Sequence, residues 1–98
     1  MKISQIRPDS RGIELTGKII SIGDVRNVQT RYGPARVAQA TLKDETGSII
    51  LNLWRDQVDL VRTGDTVRIR NAFVRTFRNQ MELNVGRDGS ITVLERSE

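Results

Sequence analysis

Apolar and polar residues alternate along most of the chain, and the alternation is clearest in the run SIILNLW. Ile49, Leu51 and Leu53 share one face of a predicted strand, because successive side chains of a strand point to opposite faces. That uniformly apolar face predicts contact with a core. Trp54, the only tryptophan, lies on the opposite face and is predicted to point away from the core.

The same alternation continues in the run TVRIRNAFVRTF, where Val67 and Ile69 face inward. The buried positions change parity near Asn71, which predicts a bulge or bend there. Beyond it, Phe73 and Phe77 share the outward face with arginines. Three of the four aromatic residues are therefore predicted to lie outside the core.

The rest of the pattern divides the chain into short elements. A helical turn between Lys2 and Arg11, ended by Pro8, has an apolar edge of Ile3 and Ile6 that is predicted to plug one end of the fold. The predicted strands are Gly12 to Val25, bent at Gly17, then Ala35 to Lys43, Ser48 to Arg55, Asp65 to Phe77, a fifth strand around Met81, Leu83 and Val85, and a short closing strand from Ile91 to Leu94. On the fifth strand, Gln80, Glu82 and Asn84 are predicted to point outward.

The connections between the strands are predicted from residues that favour loops, turns and helix ends. Arg26 to Pro34 is predicted to be a loop, and the residues from Asp44 to Gly47 a tight turn. Asp56 to Arg62 is predicted to be a short helix, with Asp56 as its N-cap and Val58, Leu60 and Val61 as its buried edge. Gly64 is predicted to end it in a turn. The residues Phe77-Arg78-Asn79-Gln80 are predicted to form a hairpin turn, since asparagine tolerates positive φ.

Five main strands, a bent first strand and a helix between strands three and four predict an all-β, five-stranded Greek-key barrel of the OB-fold type. An SH3-like barrel is the alternative, but it lacks a helix in that place. The 98 residues fit one domain, residues 1–98. OB-folds bind oligonucleotides on the face of strands 2 and 3, between the loops joining strands 1–2 and 4–5.

Composition narrows the function. The net charge is +4, and 13 of the 16 cationic residues are arginine, which suits phosphates and base stacking. The chain has no cysteine and no histidine, so we expect no metal site, no cofactor and no enzymatic activity. The neighbouring carboxylates of Asp44 and Glu45 fit a solvated turn better than a catalytic site. With no transmembrane-length apolar run and no signal peptide, a soluble cytoplasmic, nucleoid-associated protein without membrane contact is expected.

On the OB-fold map, Trp54 lies on the binding face, and the loop carrying Arg31 and Tyr32 lies at one end of it. Tyr32 could equally fold back over the barrel edge. The arginines predicted to contact phosphates near these aromatics are Arg31, Arg36, Arg68, Arg70, Arg75 and Arg78.

The run DETGSIILNLW, followed by TGDTVRIRNAF, TF and ELNVGR, closely resembles archaeal single-stranded DNA-binding proteins of the simple one-OB-fold type. These are related to the DNA-binding folds of replication protein A and to human single-stranded DNA-binding proteins. The resemblance implies that Trp54, Phe73 and Phe77 stack on successive bases. Phe73 stands where relatives often have Trp or Tyr, Asn79 where they often have glycine, and Asn84 where eukaryotic relatives have an aromatic residue.

We therefore expect binding of single-stranded DNA, largely independent of sequence, in replication and repair. Two alternatives stay open: an RNA-binding OB-fold, and an OB-fold subunit that uses its aromatics for a protein partner. The candidate nucleic-acid-binding residues are Trp54, Phe73, Phe77, Arg31, Tyr32, Arg75, Arg78, Arg36 and Asn84. The free protein is expected to be monomeric. Many relatives carry a tail that recruits protein partners; the resemblance implies that any protein partners would bind through such a tail, which the residues up to Glu98 do not include.

Overall fold

The computed structural model describes residues 1–96, so the predicted domain 1–98 extends two residues beyond it. A 3₁₀ turn covers Ile3–Gln5 and one short helix, α1, covers Gln57–Leu60. The strands are β1 Ile13–Ile22, β2 Arg26–Thr30, β3 Gly33–Asp44, β4 Gly47–Trp54, β5 Thr66–Phe77, β6 Gln80–Asn84 and β7 Ser90–Glu95.

Five of these strands close into a ring. β1 pairs with β3, β3 with β4, β4 with β6, β6 with β5, and β5 again with β1. Four of these pairings are antiparallel, and the pairing of β4 with β6 is parallel. β2 extends the ring at β3, and β7 extends it at β5. The predicted five-stranded barrel, with α1 between β4 and β5, is confirmed.

The first strand serves two neighbours, as predicted from Gly17. Residues Ile13 to Lys18 pair with β5, and residues Lys18 to Ile22 pair with β3. A Cβ atom at Gly17 would lie 3.0 Å from both Leu42 Cδ1 and the Lys43 carbonyl oxygen. Such contacts are too close for most side chains, so glycine lets β1 bend against β3 where the strand changes partners.

The core matches the predicted inward face. Ile49, Leu51 and Leu53 of β4 are buried, as are Val67 and Ile69 of β5. The predicted bulge is confirmed as well. Between the pairs Leu15–Ile69 and Ile13–Ala72, β5 has one residue more than β1, and Asn71 takes φ 53°. That extra residue changes the parity of β5 and turns Phe73 to the outer face.

Two predictions about the connections are wrong. The segment predicted as a loop, Arg26 to Pro34, contains strand β2 and forms a hairpin with the start of β3 around a turn at Arg31 and Tyr32. In α1, Leu60 is exposed while Val61 is buried, because the helix has only four residues and presents a narrow face. Asp56 occupies the N-cap position, but its side chain makes no capping hydrogen bond.

The hairpin between β5 and β6 forms as predicted. Phe77 pairs with Gln80, and the two turn residues Arg78 and Asn79 have φ of 51° and 65°. Positive φ at both central positions matches the twist of the flanking strands. Gly64, in the turn before β5, likewise takes a positive φ of 96°.

The N-terminal turn is held against the barrel by the β3–β4 turn. The Ile3 amide donates to Asp44 Oδ2 at 2.8 Å, and the Ser4 amide donates to Thr46 Oγ1 at 3.1 Å. Ile3 and Ile6 are buried in the core, which confirms their predicted role as a plug. The Asp44 carboxylate therefore stabilises the position of the N-terminal turn.

Acid should loosen this contact through Asp44. Partial burial raises the pKa of the Asp44 carboxyl, but hydrogen bonds from the Thr46 hydroxyl and from the Ile3, Thr46 and Gly47 amides outweigh it and lower the pKa below 3.8. A lowered folded-state pKa contributes stability that is fully present above the ordinary pKa and is lost as the pH falls below it. We expect the urea midpoint to fall more steeply below pH 4 in the wild type than in Asp44→Asn.

The exposed Asp24→Asn variant has the same change of charge and is the control. Equal acid sensitivity of wild type and Asp44→Asn would contradict this assignment.

Candidate nucleic-acid interface

The outer face of β3, β4, β6 and β5 forms a ladder of side chains in register. The pairings place Gln39, Asn52, Asn84 and Phe73 in one row across the four strands. The next row toward the β5–β6 hairpin contains Thr41, Ile50, Glu82 and Arg75. Beyond it, Lys43 pairs with Ser48 and Phe77 pairs with Gln80. Trp54 lies one row beyond Asn52 in the other direction, opposite Val37.

Trp54 is half-buried and donates two hydrogen bonds to side chains. Its indole Nε1 donates to Asn84 Oδ1 at 3.0 Å, and its backbone amide donates to Gln57 Oε1 at 2.9 Å. Gln57 Nε2 in turn donates to the Val85 carbonyl at 2.9 Å, which ties α1 to the end of β6. The predicted outward orientation of Trp54 is confirmed, and its ring is fixed before any ligand binds.

Phe73 and Phe77 also lie outside the core. Phe73 is half-buried, with the Arg75 guanidinium 5.6 Å from its ring centroid. Phe77 is 60% exposed, and the Arg78 guanidinium lies 5.2 Å from its ring centroid. Neither ring belongs to the core cluster. The predicted outward orientation of both phenylalanines is therefore confirmed.

An open groove of about 820 Å³ brings part of the predicted set together. We call it the Trp54 groove; it is lined by Thr30, Tyr32, Trp54, Arg55, Gln57, Phe73, Arg75, Asn84, Val85, Gly86 and Arg87. Three aromatic rings and three arginines thus line one depression. Within residues 1–96, no carboxylate lines it. The groove suits a ligand with flat apolar faces and negative charge.

Tyr32 is 84% exposed at the turn between β2 and β3, so it does not fold back over the barrel edge. The Thr30 hydroxyl fixes this turn by donating to the Gly33 carbonyl at 2.6 Å and accepting from the Tyr32 amide at 3.1 Å. The hairpin thereby presents Tyr32 at one wall of the Trp54 groove. Arg31, beside it, is exposed.

Of the six arginines predicted to contact phosphates, only Arg75 lines the groove. Arg31 and Arg78 lie in the β2–β3 and β5–β6 hairpin turns, and the other three lie elsewhere on the barrel. Arg36 lies on the opposite face of β3 from Val37, and its guanidinium donates to Asp59 of α1 at 2.9 Å. Arg68 and Arg70 lie on the half of β5 that pairs with β1 and β7, and Arg70 forms an ion pair with Glu14 at 3.6 Å. Their strand positions, rather than their charge, exclude them from the groove.

Two residues predicted to point outward do so, but neighbouring side chains bury them. Glu82 is 9% exposed and Asn84 is 4% exposed, although both lie on the outer face as predicted. Asn84 accepts the N–H at the edge of the Trp54 ring, so it supports the ring instead of presenting a surface of its own. Alternation identifies the face of a residue but not what covers it.

Arg55 and Arg87 line the groove but were missed by the sequence analysis. Arg55 follows β4 directly and takes φ 54°, and Arg87 follows Val85 and Gly86 after β6. Arg55 comes directly after β4 and Arg87 three residues after the end of β6, and the outward residues of both strands were already candidates. Their position just beyond these strands was the signal in the sequence that could have identified them.

Other chemistry is sparse in the described part of the chain. Within residues 1–96, no group of three His, Cys, Asp or Glu side chains could hold a metal ion. None of the helices in that range is long and apolar enough to cross a membrane.

Comparisons with known proteins agree with this geometry. Residues 6–93 match the family model described as single-stranded DNA binding protein Ssb-like, OB fold. The chain is 29% identical over 85 residues to the single-stranded DNA binding protein Ssb of Saccharolobus solfataricus, across 87% of this chain and 57% of that protein. It is 35% identical over 91 residues to replication factor A of Methanothermobacter thermautotrophicus, across 89% of this chain and 12% of that protein. The chain thus spans less than two thirds of either relative.

Among solved structures, the OB domain of a Thermoplasma acidophilum protein superimposes with a TM-score of 0.85. The match covers 100% of this chain and 89% of that domain, at 24% identity. At that identity the likeness concerns the fold.

Proposed function

The chain belongs to the Ssb-like family of OB-fold single-stranded DNA-binding proteins, and from that premise we propose that it binds single-stranded DNA largely without sequence specificity. In this proposal the protein protects single strands and presents them during replication and repair. Binding of the DNA is sufficient for this proposed role, which includes no catalytic step. The free protein acts as a monomer in the cytoplasm, on exposed DNA.

The observation that carries the proposal is the placement of the aromatics. Trp54, Phe73 and Phe77 stand on one outer face, and arginine guanidiniums lie against two of these rings. A small barrel with a thin core loses apolar burial by exposing such rings. Stacking on bases would recover that loss, at roughly 1–3 kcal/mol per base for any base.

Spacing on the ladder sets how a strand could lie. Trp54 and Phe73 are two strands and one row apart, which corresponds to about 12 Å, and Phe73 and Phe77 are four residues or about 13 Å apart. Both separations exceed the distance between stacked bases. The three rings would therefore hold splayed bases along a diagonal path from the β2–β3 hairpin to the β5–β6 hairpin.

Arginines along this path supply the phosphate contacts. Arg75 and Arg78 each occupy one face of a phenylalanine, which leaves the other face for a base and keeps the cation near the backbone that carries it. Arg55 and Arg87 line the Trp54 groove, and Arg31 is exposed beside Tyr32 in the β2–β3 turn. A duplex hides its base faces and should bind poorly.

A titration of Trp54 fluorescence with oligothymidine tests ligand class and site together, since Trp54 is the only tryptophan. We expect quenching on binding, and an affinity that falls linearly with salt in log–log form, by about 0.7 per phosphate contact. Homopolymers should differ modestly, with pyrimidine runs preferred. The matching duplex is the control. An unchanged fluorescence, a salt-independent affinity or strict recognition of one sequence would each overturn the proposal.

The two phenylalanines should contribute unequally. Phe77 lies at the exposed hairpin, whereas Phe73 lines the Trp54 groove beside Gly86, where a Cβ atom would come within 3.3 Å of the Phe73 ring. We expect Phe77→Ala to cost less binding free energy than Trp54→Ala. We expect Phe73→Tyr to be nearly neutral, because stacking requires only a flat π-face. Titrations of the three variants with one oligonucleotide check the order; a larger loss for Phe77→Ala would contradict it.

A further inference from the structure

Four polar side chains form a connected layer on the outer face between the aromatic rings. We call Gln39, Asn52, Glu82 and Asn84 the polar floor. Asn52 Nδ2 donates to Glu82 Oε1 at 3.0 Å and to Asn84 Oδ1 at 3.3 Å. Gln39 Nε2 donates to Glu82 Oε2 at 3.2 Å and to Asn52 Oδ1 at 3.4 Å. Trp54 completes the layer through its bond to Asn84.

The two ends of this layer fix the orientation of every amide within it. The Trp54 indole can only donate, so Asn84 must turn its carbonyl oxygen toward it. The Glu82 carboxylate can only accept, so Asn52 and Gln39 must both turn their NH₂ groups toward Glu82. No amide in the layer can flip without leaving a donor against a donor or an acceptor against an acceptor.

The fixed orientations leave one acceptor, Gln39 Oε1, on the open side. Both N–H groups of Gln39 and both of Asn52 are used within the floor, and Asn84 Nδ2 donates to the Glu82 carbonyl at 3.3 Å. Gln39 is exposed, and its Oε1 accepts no hydrogen bond from residues 1–96. Arg75 is the cross-strand neighbour of Glu82, yet within the same residues no cation comes within ion-pair distance of that carboxylate.

We propose that the polar floor reads the edge of a stacked base and favours bases that present an amino group, so that cytosine binds better than thymine. This inference rests on the proposed function and names the base preference of the same site. A base stacked on Trp54 or Phe73 turns one edge toward the sheet, where Gln39, oriented by the buried Glu82 carboxylate, offers Oε1 as an acceptor. Cytosine carries an N4 donor where thymine carries the O4 acceptor, which would face another acceptor.

Glu82 positions the amides of the polar floor. Replacing it with glutamine should invert the base preference. In Glu82→Gln the new side chain can still accept from Asn52 through its oxygen, at the cost of turning its own NH₂ toward Gln39. Gln39 then has to flip and presents Nε2 to the base. The open side of the floor changes from acceptor to donor, which matches thymine O4 instead of the cytosine amine.

The test is the ratio of affinities for oligo(dC) and oligo(dT) of equal length at neutral pH, with oligo(dU) included because it lacks the thymine methyl group. We expect the wild type to bind oligo(dC) about three- to tenfold more tightly than either of the others, as one net hydrogen bond would give. Glu82→Gln should bring the ratio to one or below. Gln39→Ala should reduce it while Trp54 quenching remains.

Glu95→Gln is the matched control, since Glu95 is an exposed glutamate on β7 and loses the same charge. Its ratio should equal that of the wild type. Equal wild-type affinities for oligo(dC) and oligo(dT) would overturn the floor assignment and leave the proposed function standing. Failure to bind any of the oligonucleotides would overturn both. If Glu82→Gln does not fold, an unchanged ratio in Gln39→Ala still overturns the assignment.

Discussion

Replacing Trp54 with alanine should weaken binding of single-stranded DNA by roughly 1–3 kcal/mol while leaving the barrel folded. The ring lies outside the core cluster and forms one wall of the Trp54 groove. It is also held in place by Asn84, so little side-chain freedom remains to be lost when a base stacks on it. Fluorescence anisotropy of a labelled oligonucleotide measures the loss, because the variant has no tryptophan.

Trp54→Phe separates the ring from its hydrogen bond. It keeps a flat face for stacking but no longer donates to Asn84, so the loss should be smaller than in Trp54→Ala. Thermal unfolding of both variants controls for damage to the fold. A large fall in melting temperature with unchanged affinity would place Trp54 among the structural residues and contradict its assignment as a platform.

The strand period explains why the sequence predicted the barrel and its aromatic face so well. In β4 and β5, apolar and polar residues alternate clearly with a period of two. This period assigns Leu51 and Ile69 to the inner face, and Trp54 and Phe73 to the outer face, without any knowledge of pairing. The single change of parity, near Asn71, was itself readable as a bulge. Both features are local in the chain.

The predictions that failed concern side-chain contacts that form only when distant segments of the chain pair. Asn52 and Asn84 are 32 residues apart, and only the parallel pairing of β4 with β6 places them side by side. Glu82 and Asn84 were correctly assigned to the outer face, but the covering layer formed by Asn52, Gln39 and Trp54 buries them. No periodicity in a single strand can reveal that layer.

The prediction of a loop at β2 and the predicted placement of Arg36 and Arg70 near the aromatics were wrong for related reasons. The run RNVQT has no apolar alternation, so it is a strand only because a two-residue turn brings it onto β3. Arg36 and Arg70 are outward by pattern, yet they contact Asp59 and Glu14 on other sides of the barrel. Which side an outward residue occupies depends on the closure of the ring, which local sequence does not encode.

Replacing Asp65 with alanine should cost roughly 3 kcal/mol of unfolding free energy, the largest loss we expect from a single polar residue. Asp65 is fully buried, and its carboxylate accepts the Arg62 amide at 2.9 Å and Arg96 Nη1 at 3.3 Å. Hydrogen bonds to a charged group are among the stronger ones, and the change leaves the Arg62 amide without this acceptor.

The position of Asp65 in the fold enlarges the effect. Its carbonyl accepts the Ile19 amide at 2.8 Å, and the Gly64 amide donates back to the Ile19 carbonyl at 2.7 Å. These bonds join the turn before β5 to β1 just beyond Lys18, where β1 leaves β5 for β3. Loosening that turn therefore weakens the closure of the barrel at the bend of its first strand.

Urea unfolding of three variants tests this role. Asp65→Asn keeps an oxygen for the Arg62 amide but loses the charge, so it should lie between the wild type and Asp65→Ala. Asp59→Ala removes an exposed carboxylate that pairs with Arg36, and it should barely change stability, since ion pairs in water contribute little. If Asp65→Ala were as stable as Asp59→Ala, the buried carboxylate would contribute nothing to barrel closure, and the turn before β5 would have to be held by its backbone hydrogen bonds alone.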